Sequence, residues 1–137
     1  MNILITGAAG FIGYHLTKKF LNKKIKVIGI DNVNNYYDVN LKKEKIKNLK
    51  KNKKFIFYKL DLGNYNGLNA IIKKHKINHI IHLAAQAGVR YSITNPKIYF
   101  KSNLEGFFNI LEASRSNKIK HLIFASTSSV YGNSKKF

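Results

Sequence analysis

Apolar residues along this chain occur in five short runs, separated by longer stretches in which apolar and polar residues mix. The runs are rich in Ile, Val and Phe, and they are too short for helices. Such brief, unbroken runs are typical of strands buried on both faces of a parallel sheet. The predicted strands are Ile3–Thr6, Lys26–Ile30, Phe55–Leu60, His79–Leu83 and Leu122–Ala125.

The stretches between these runs have helical spacing. The predicted apolar faces comprise Phe11, His15, Leu16 and Phe20; then Leu68, Ile71 and Ile72; then Tyr99, Leu104, Phe107, Phe108, Ile110 and Leu111. We expect the last and longest helix to run from about Pro96 to Arg115, because proline is favourable in a first helical turn. Strand–helix alternation with short connections predicts right-handed crossovers. The sequence therefore predicts one α/β domain over residues 1–137, with a doubly wound parallel sheet of order 3-2-1-4-5.

A glycine-rich segment, Gly7-Ala8-Ala9-Gly10-Phe11-Ile12-Gly13, lies between the first predicted strand and the first predicted helix. There Gly7 permits a tight turn, Gly10 lets backbone N–H groups approach a pyrophosphate, and Gly13 lets the helix pack on the strand. Phe11 and Ile12 belong to the same predicted site. The strand before the segment and the helix after it are the context that a dinucleotide site requires.

An acid follows the second predicted strand, as dinucleotide binding requires. The carboxylate of Asp31 can accept hydrogen bonds from the adenosine ribose, and it repels the extra phosphate of NADP. No arginine follows closely to offset that repulsion. We therefore expect NAD as the cofactor, with Asn32 and Asn35 in the same site.

The strong positive charge is carried almost wholly by lysine. The chain has 25 Lys and Arg against 6 Asp and Glu, a formal net charge of +19, and only Arg90 and Arg115 are arginine. Nucleic-acid readers lean on arginine for bidentate contacts. The densest basic stretch, residues 42–51, is interpreted as the solvated side of a helix whose apolar positions are Leu41, Ile46 and Leu49. We predict no nucleic-acid partner, and expect the charge to help attract an anionic substrate.

Other composition features exclude several classes of site. The chain has no cysteine, which excludes disulfides, thiolate metal sites and cysteine nucleophiles. No apolar run approaches the roughly 20 residues of a membrane span, and no leader pattern follows Met1. We predict a soluble, cytoplasmic protein without a metal site or a membrane partner.

The Gly-x-x-Gly-x-x-Gly spacing resembles the short-chain dehydrogenase/reductase superfamily, in its extended branch of NAD-dependent epimerases and dehydratases that act on nucleotide sugars. The resemblance implies a Rossmann-type domain. It implies that Asp61 and Leu62 hold the adenine, although Asp61 also suits a helix cap. It further implies that Leu83, Ala84 and Ala85 line the cofactor's nicotinamide-side ribose and phosphates. Asn103, which we count with the cofactor-binding residues, lies on the long helix where the superfamily often has a structural asparagine.

Residues 124–132 resemble the active-site strand end of that branch. The resemblance assigns Thr127 a catalytic hydroxyl that bonds the sugar's reacting oxygen, and places Ser126 beside the cofactor. Tyr131 and Lys135 have the spacing of the family's Tyr-x-x-x-Lys base. Gly132, Asn133 and Ser134 favour a turn, however, and the pair shares a face only on a helix. We therefore expect the base and the C-terminal substrate domain to lie beyond Phe137, and this part alone to be inactive.

The residues after Thr127 distinguish between reactions. Related 4,6-dehydratases carry Asp-Glu there, and decarboxylating relatives carry Glu, whereas this chain has Ser128 and Ser129. The resemblance then implies 4-epimerisation, with NAD retained. Residues 31–38 and 84–92 resemble UDP-glucuronate 4-epimerases in particular.

That closer resemblance implies a UDP-sugar substrate, with Gly88 and Arg90 at the sugar end of the site. A guanidinium suits a uronate carboxylate, although Arg90 also suits a surface ion pair. The alternatives are a UDP-glucose/galactose 4-epimerase, a nucleotide-sugar dehydratase and a non-catalytic NAD-binding module. The resemblance also implies that the full-length enzyme is a homodimer built on the long helix and the helix that follows it, and it leaves open whether this chain dimerises without that next helix. If the chain ends at Phe137, we expect an exposed fifth strand and marginal stability or association.

Overall fold

A five-stranded parallel sheet of order β3-β2-β1-β4-β5 forms the centre of the computed structural model, which describes residues 1–134. The strands are β1 (Ile3–Thr6), β2 (Val27–Asp31), β3 (Phe55–Lys59), β4 (His79–His82) and β5 (His121–Phe124). Ile3 is in register with Val27 on one side and with His79 on the other. The predicted α/β class and strand order are therefore confirmed. Strand limits differ from prediction by one residue at most at either end, and Asp31 is the last residue of β2.

Helices connect the strands. They are α1 (Phe11–Asn22), α2 (Val39–Lys50), α3 (Tyr65–Lys74), α4 (Val89–Thr94), α5 (Pro96–Tyr99) and α6 (Gly106–Ser116), with a π-helical segment Phe100–Glu105 and a 3-10 turn Ser128–Tyr131. Asp38 caps α2 by accepting from the Asn40 N–H at 2.7 Å. Asn64 caps α3 by accepting from the Gly67 N–H at 2.9 Å, so the cap interpretation of Asp61 is wrong.

Two hydrophobic clusters cover the two faces of the sheet. Successive residues of a strand point to opposite faces, and accordingly Leu4 belongs to one cluster while Ile3 and Ile5 belong to the other. The first cluster includes Leu68, Ile72 and Ile110 from α3 and α6; the second includes Leu21 and Leu49 from α1 and α2. This double coverage explains why the strands are apolar without alternation.

The buried face of α1 matches the predicted one only in part, since Leu16 and Phe20 are partly buried and pack against the second cluster. Gly13, Thr17 and Leu21 face the sheet, whereas Phe11 is 75% exposed and His15 is also exposed. A Cβ on Gly13 would collide with the Gly7 carbonyl oxygen. The close approach of the helix to the glycine loop therefore sets its rotation, and apolar spacing does not.

The long helix also departs from prediction. Its helical course runs from Pro96 to Ser116, but the π-helical segment interrupts the α-helical hydrogen bonding. Because a π turn rotates the residues that follow it, the inward face of α6 consists of Gly106, Asn109, Ile110 and Ala113. The predicted face residues Leu104, Phe108 and Leu111 are exposed instead.

The sheet ends at β5, which pairs only with β4 among the described strands. Ile123 and Phe124 are 50% and 49% exposed, as expected for an edge strand. None of the helices within residues 1–134 has the length and apolar character that a bilayer span requires. The same residues contain no group of His, Asp and Glu arranged to hold a metal ion.

Candidate functional site

A cleft opens at the carboxyl ends of β1 to β4, the edge of the sheet where doubly wound folds bind ligands. Nine of the predicted cofactor residues line it, namely Gly7, Gly10, Asp31, Asn32, Asp61, Leu62, Leu83, Ala84 and Ala85. The remaining lining residues are Ile30, Asn34, Tyr36, Tyr37, Lys42, Leu60, Gln86 and Ser102.

The glycine loop forms the floor of this cleft. Gly7 has φ +69°, a left-handed conformation that favours glycine, and the Gly10 N–H donates to its carbonyl at 2.9 Å. Gly10 is the N-cap of α1 and supplies no capping side chain, and no acid lies in the first turn. The helix start therefore retains the N–H groups and the dipole charge that bind an anion. Phe11 and Ile12 expose their side chains, so their contribution would come from the backbone.

Asp31 joins the glycine loop to the end of β2. Its side chain is buried, with one carboxylate oxygen accepting from the Ala9 N–H at 3.0 Å and the other from the Val33 N–H at 2.8 Å. The acid thus sits directly beside the loop, at the place that adenosine ribose recognition requires.

Asp61 and Asn32 lie side by side at the ends of β3 and β2. The Asn32 amide donates to Asp61 at 3.1 Å, and the Gly63 N–H donates to the other carboxylate oxygen at 2.9 Å. Burial raises the pKa of Asp61, but the bonds from Gly63 and Asn32, together with the charge of Lys101, outweigh it and bring the pKa below its usual value. The carboxylate is therefore an ionised acceptor on the cleft wall.

Two polar side chains, those of Thr6 and Asn103, form hydrogen bonds with the backbone of the segment after β4. Thr6 Oγ1 accepts from the N–H groups of Leu83 and Ala84, both at 3.2 Å, and lies 2.8 Å from His82 Nδ1. Asn103 exchanges hydrogen bonds with the backbone of Gln86, at 2.8 and 3.0 Å. Asn103 is not part of the cleft lining, so its contacts support a positioning role and leave its predicted cofactor contact untested.

Lys42 is a candidate site residue that the sequence analysis does not predict. Its side chain is 8% exposed, and Nζ donates to Asn34 Oδ1 at 2.8 Å and to the Asn34 carbonyl at 3.1 Å. Leu41, an apolar position of the same predicted helix, is 50% exposed. The spacing of Lys42 with Ile46 and Leu49 indicates its burial, because the three positions share one face of the helix.

Lys42 has no acidic partner in the described part of the chain. The only ion pair between residues 1 and 134 joins Arg115 to Glu112 at 2.6 Å. Two of the three ammonium hydrogens go to Asn34, which leaves one donor for the cleft. A buried cation without a carboxylate partner is a candidate ligand contact.

Comparison with known proteins identifies the family. A family model described as GDP-mannose 4,6 dehydratase matches residues 4–137. The chain belongs to this family of NAD-dependent epimerases and dehydratases. It is 44% identical over 128 residues to the UDP-glucuronate 4-epimerase of Thermodesulfobacterium geofontis, covering 93% of this chain and 40% of that protein.

Solved structures of the epimerase/dehydratase family agree with the fold. The UDP-glucuronic acid 4-epimerase of Bacillus cereus, in complex with UDP-glucuronic acid and NAD, is 38% identical with a TM-score of 0.87, over 98% of this chain and 43% of that one. The UDP-glucose 4-epimerase of Thermus thermophilus, in complex with NAD, is 34% identical with a TM-score of 0.80, over 93% and 38%. The chain thus spans about two fifths of the length of these relatives.

The other predicted site residues are not among those that line the cleft. They are Phe11, Ile12, Gly13, Asn35, Gly88, Arg90, Asn103, Ser126 and Thr127. Thr127 accepts from the Ser129 N–H at 3.2 Å and so caps the 3-10 turn. Tyr131 ends that turn and Gly132 has φ +55°, so the predicted turn after β5 is present as far as Ser134. Lys135 lies outside the described residues.

Proposed function

We propose that this chain is the NAD-binding part of a nucleotide-sugar 4-epimerase that interconverts UDP-glucuronate and UDP-galacturonate through a 4-keto sugar. The observation that carries the proposal is the bond from the Ala9 N–H to Asp31 Oδ2. It places an acid of the second strand against a glycine loop at a helix start, within one cleft, which is the arrangement that dinucleotide recognition requires.

The residues of the cleft would suit the adenosine half and the pyrophosphate of NAD. The start of α1 would receive the pyrophosphate, Asp31 the adenosine ribose, and Asp61 with Leu62 the adenine. Lys42 would donate its third hydrogen to a hydroxyl or phosphate oxygen at the ribose end. NAD, when bound, supplies the hydride acceptor and donor for C4 of the sugar.

The proposed substrate is supported by the relatives and by the segment after β5. Ser128 and Ser129 occupy the places where the resembling dehydratases carry acids, and neither is a proton acceptor for a carbon acid at neutral pH. Arg90 is exposed on α4 and is in none of the ion pairs of residues 1–134. It is therefore available to a uronate carboxylate, while Thr127 would bond the reacting sugar oxygen.

A UDP-glucose 4-epimerase is the second candidate, because the Thermus thermophilus neighbour has this fold at 34% identity. The two are separated by supplying each sugar to the enzyme and following its epimer by NMR. We expect a catalytically complete chain to convert UDP-glucuronate, and this chain alone to convert neither sugar, since Tyr131 is followed by a turn. Preferential conversion of UDP-glucose would favour the second candidate.

An exposed apolar stripe supports a homodimer. Phe100, Leu104, Phe108 and Leu111 lie at helical spacing on the π-helical segment and α6, and each is between 44% and 63% exposed. Contiguous exposed apolar surface of this kind marks interaction sites. We propose that this stripe packs against its counterpart in a second copy. The proposed location is the cytoplasm, and the proposal includes no nucleic-acid or membrane partner.

A further inference from the structure

Two loops on opposite sides of β1 touch each other. The loop after β2 carries Tyr36, and the loop after β4 ends at Gly88. A Cβ built on Gly88 would collide with the Tyr36 hydroxyl, which shows how closely the Gly88 backbone approaches that group. Gly88 has φ +101°, a conformation that L side chains rarely adopt. Glycine is therefore required at this position both for space and for backbone geometry.

Two further tyrosines fix this contact. Tyr99 Oη donates to the Ala87 carbonyl at 2.7 Å and lies 2.5 Å from the Gly88 carbonyl. The centroid of the Tyr91 ring lies 4.9 Å from that of the Tyr36 ring and 6.3 Å from that of the Tyr99 ring. These separations lie in the range of favourable aromatic pairs. Tyr36, Gly88, Tyr91 and Tyr99 thus form one connected cluster, which we call the tyrosine strap.

The topology places the strap across the cleft. Because β1 lies between β2 and β4 in the sheet, a contact between the loops that follow β2 and β4 must span the end of β1, where the glycine loop begins. Tyr36 lines the cleft from one side and Gln86, two residues before Gly88, lines it from the other. A dinucleotide on the glycine loop would therefore lie beneath the strap.

We infer that the tyrosine strap retains the dinucleotide in the cleft and limits the rate of its exchange. The inference rests on the proposed NAD binding. Both entry and departure of the cofactor then require Tyr36 to separate from Gly88, so the strap controls the two rates together. A 4-epimerase returns the hydride to the sugar it came from and does not need to exchange its cofactor, so slow exchange is compatible with its reaction.

The test is a stopped-flow measurement of NAD association and dissociation in the chain and in Tyr36→Ala. We expect both rates to rise by about threefold to tenfold, the range that an aromatic pair contact corresponds to, with a smaller change in affinity. Ile93→Ala is the matched control, because Ile93 lies on α4 but is 77% exposed. It should leave both rates unchanged, and circular dichroism checks that each variant is folded.

A second comparison tests the contact itself. Gly88→Ala should accelerate exchange by pushing Tyr36 away. In a Tyr36→Phe background the hydroxyl is absent, and the nearest remaining atoms to the new Cβ, Tyr36 Cζ and Tyr99 Oη, are both at 3.5 Å, an ordinary contact distance. The backbone strain at Gly88 is the same in both backgrounds. We therefore expect Gly88→Ala to have a clearly smaller effect in Tyr36→Phe than in the parent chain.

Four outcomes would overturn the inference. Unchanged rates in Tyr36→Ala, a rise in dissociation alone, or an equal effect of Gly88→Ala in both backgrounds would each reject the strap while leaving NAD binding in place. Faster dissociation alone would make Tyr36 a simple ligand contact. A folded parent chain that binds no NAD would instead reject the proposed function itself.

Discussion

Thr6 Oγ1 lies 2.8 Å from His82 Nδ1, inside the protein and directly below the cofactor cleft. The same hydroxyl oxygen accepts from the N–H groups of Leu83 and Ala84, so its own hydrogen is directed to His82. The imidazole therefore accepts at Nδ1 and is neutral, and its ring stacks on Phe107 with centroids 5.4 Å apart. This pair ties the ends of β1 and β4 together and fixes the backbone that lines the cleft.

The burial of His82 predicts a loss of stability in mild acid. Burial lowers the pKa of His82 from 6.5 to about 4, so the unfolded chain binds this proton more readily than the folded chain. The neutral His82 side chain makes its full contribution to the free energy of unfolding above pH 6.5. That free energy falls as the pH decreases toward 4, by up to about 3 kcal/mol. Urea unfolding at pH 7 and pH 4.5 measures this difference.

His82→Asn is the control for this prediction, since an amide cannot titrate in this range. It should flatten most of the pH dependence, although burial and the charges of Lys26 and Lys74 also lower the pKa of His75, which leaves a residual slope. An unchanged slope in His82→Asn would show that other groups cause the acid sensitivity.

Gly13→Ala should disrupt the glycine loop, because the added Cβ would overlap the Gly7 carbonyl oxygen. We expect a loss of about 1–3 kcal/mol of stability from overpacking and a loss of NAD binding. The control is Gly132→Ala, whose Cβ would meet nothing within 4 Å. It should retain NAD binding despite its left-handed φ. Thermal melts and NAD titration compare the two, and equal NAD affinity in both variants would contradict the prediction.

Lys42→Met keeps the aliphatic stem but removes the ammonium. If Lys42 donates to the bound dinucleotide, NAD affinity should fall about tenfold, the effect of losing one hydrogen bond from a charged donor. Lys43→Met removes the same charge from an exposed position of the same helix and should have little effect. Equal affinity changes in the two variants would show that only general charge matters.

Phe108→Lys should dissociate the proposed homodimer, because it places a charge in the middle of the exposed apolar stripe. Ile93→Lys adds the same charge at a residue that is also exposed, at 77%, but lies on α4. Sedimentation velocity should show a dimer for the parent chain and for Ile93→Lys, and a monomer for Phe108→Lys. A parent chain that is monomeric at micromolar concentration would reject the stripe as a dimer interface.

The strands, their order and the glycine loop could be predicted from the sequence because each depends on local chemistry. A short apolar run such as Ile3–Thr6 is favourable only as a strand that is buried on both faces. Gly7 and Asp31 lie at the ends of such strands, so the strand positions also fix theirs. The rotation of the helices could not be predicted in this way. It depends on a close approach at Gly13 and on a π turn near Phe100, neither of which changes the spacing of apolar residues.

The sequence also does not predict which charged and aromatic side chains line the cleft. Composition does not reveal which lysine finds acceptors, and the burial of Lys42 depends on the two acceptor oxygens of Asn34. The meeting of Tyr36 with Gly88 likewise depends on strand order, because the two residues are far apart in the chain. Both features require three-dimensional neighbours that periodicity does not encode.

The most direct test of the central claim is a calorimetric titration of this chain with NAD, with NADP as the comparison and Asp31→Asn as the matched variant. We predict that the parent chain binds NAD tightly and NADP at least about tenfold more weakly, since the Asp31 carboxylate repels the added phosphate. Asp31→Asn should narrow that difference. Absence of NAD binding by a demonstrably folded chain would contradict the proposed dinucleotide site, and equal binding of the two dinucleotides would contradict the role proposed for Asp31.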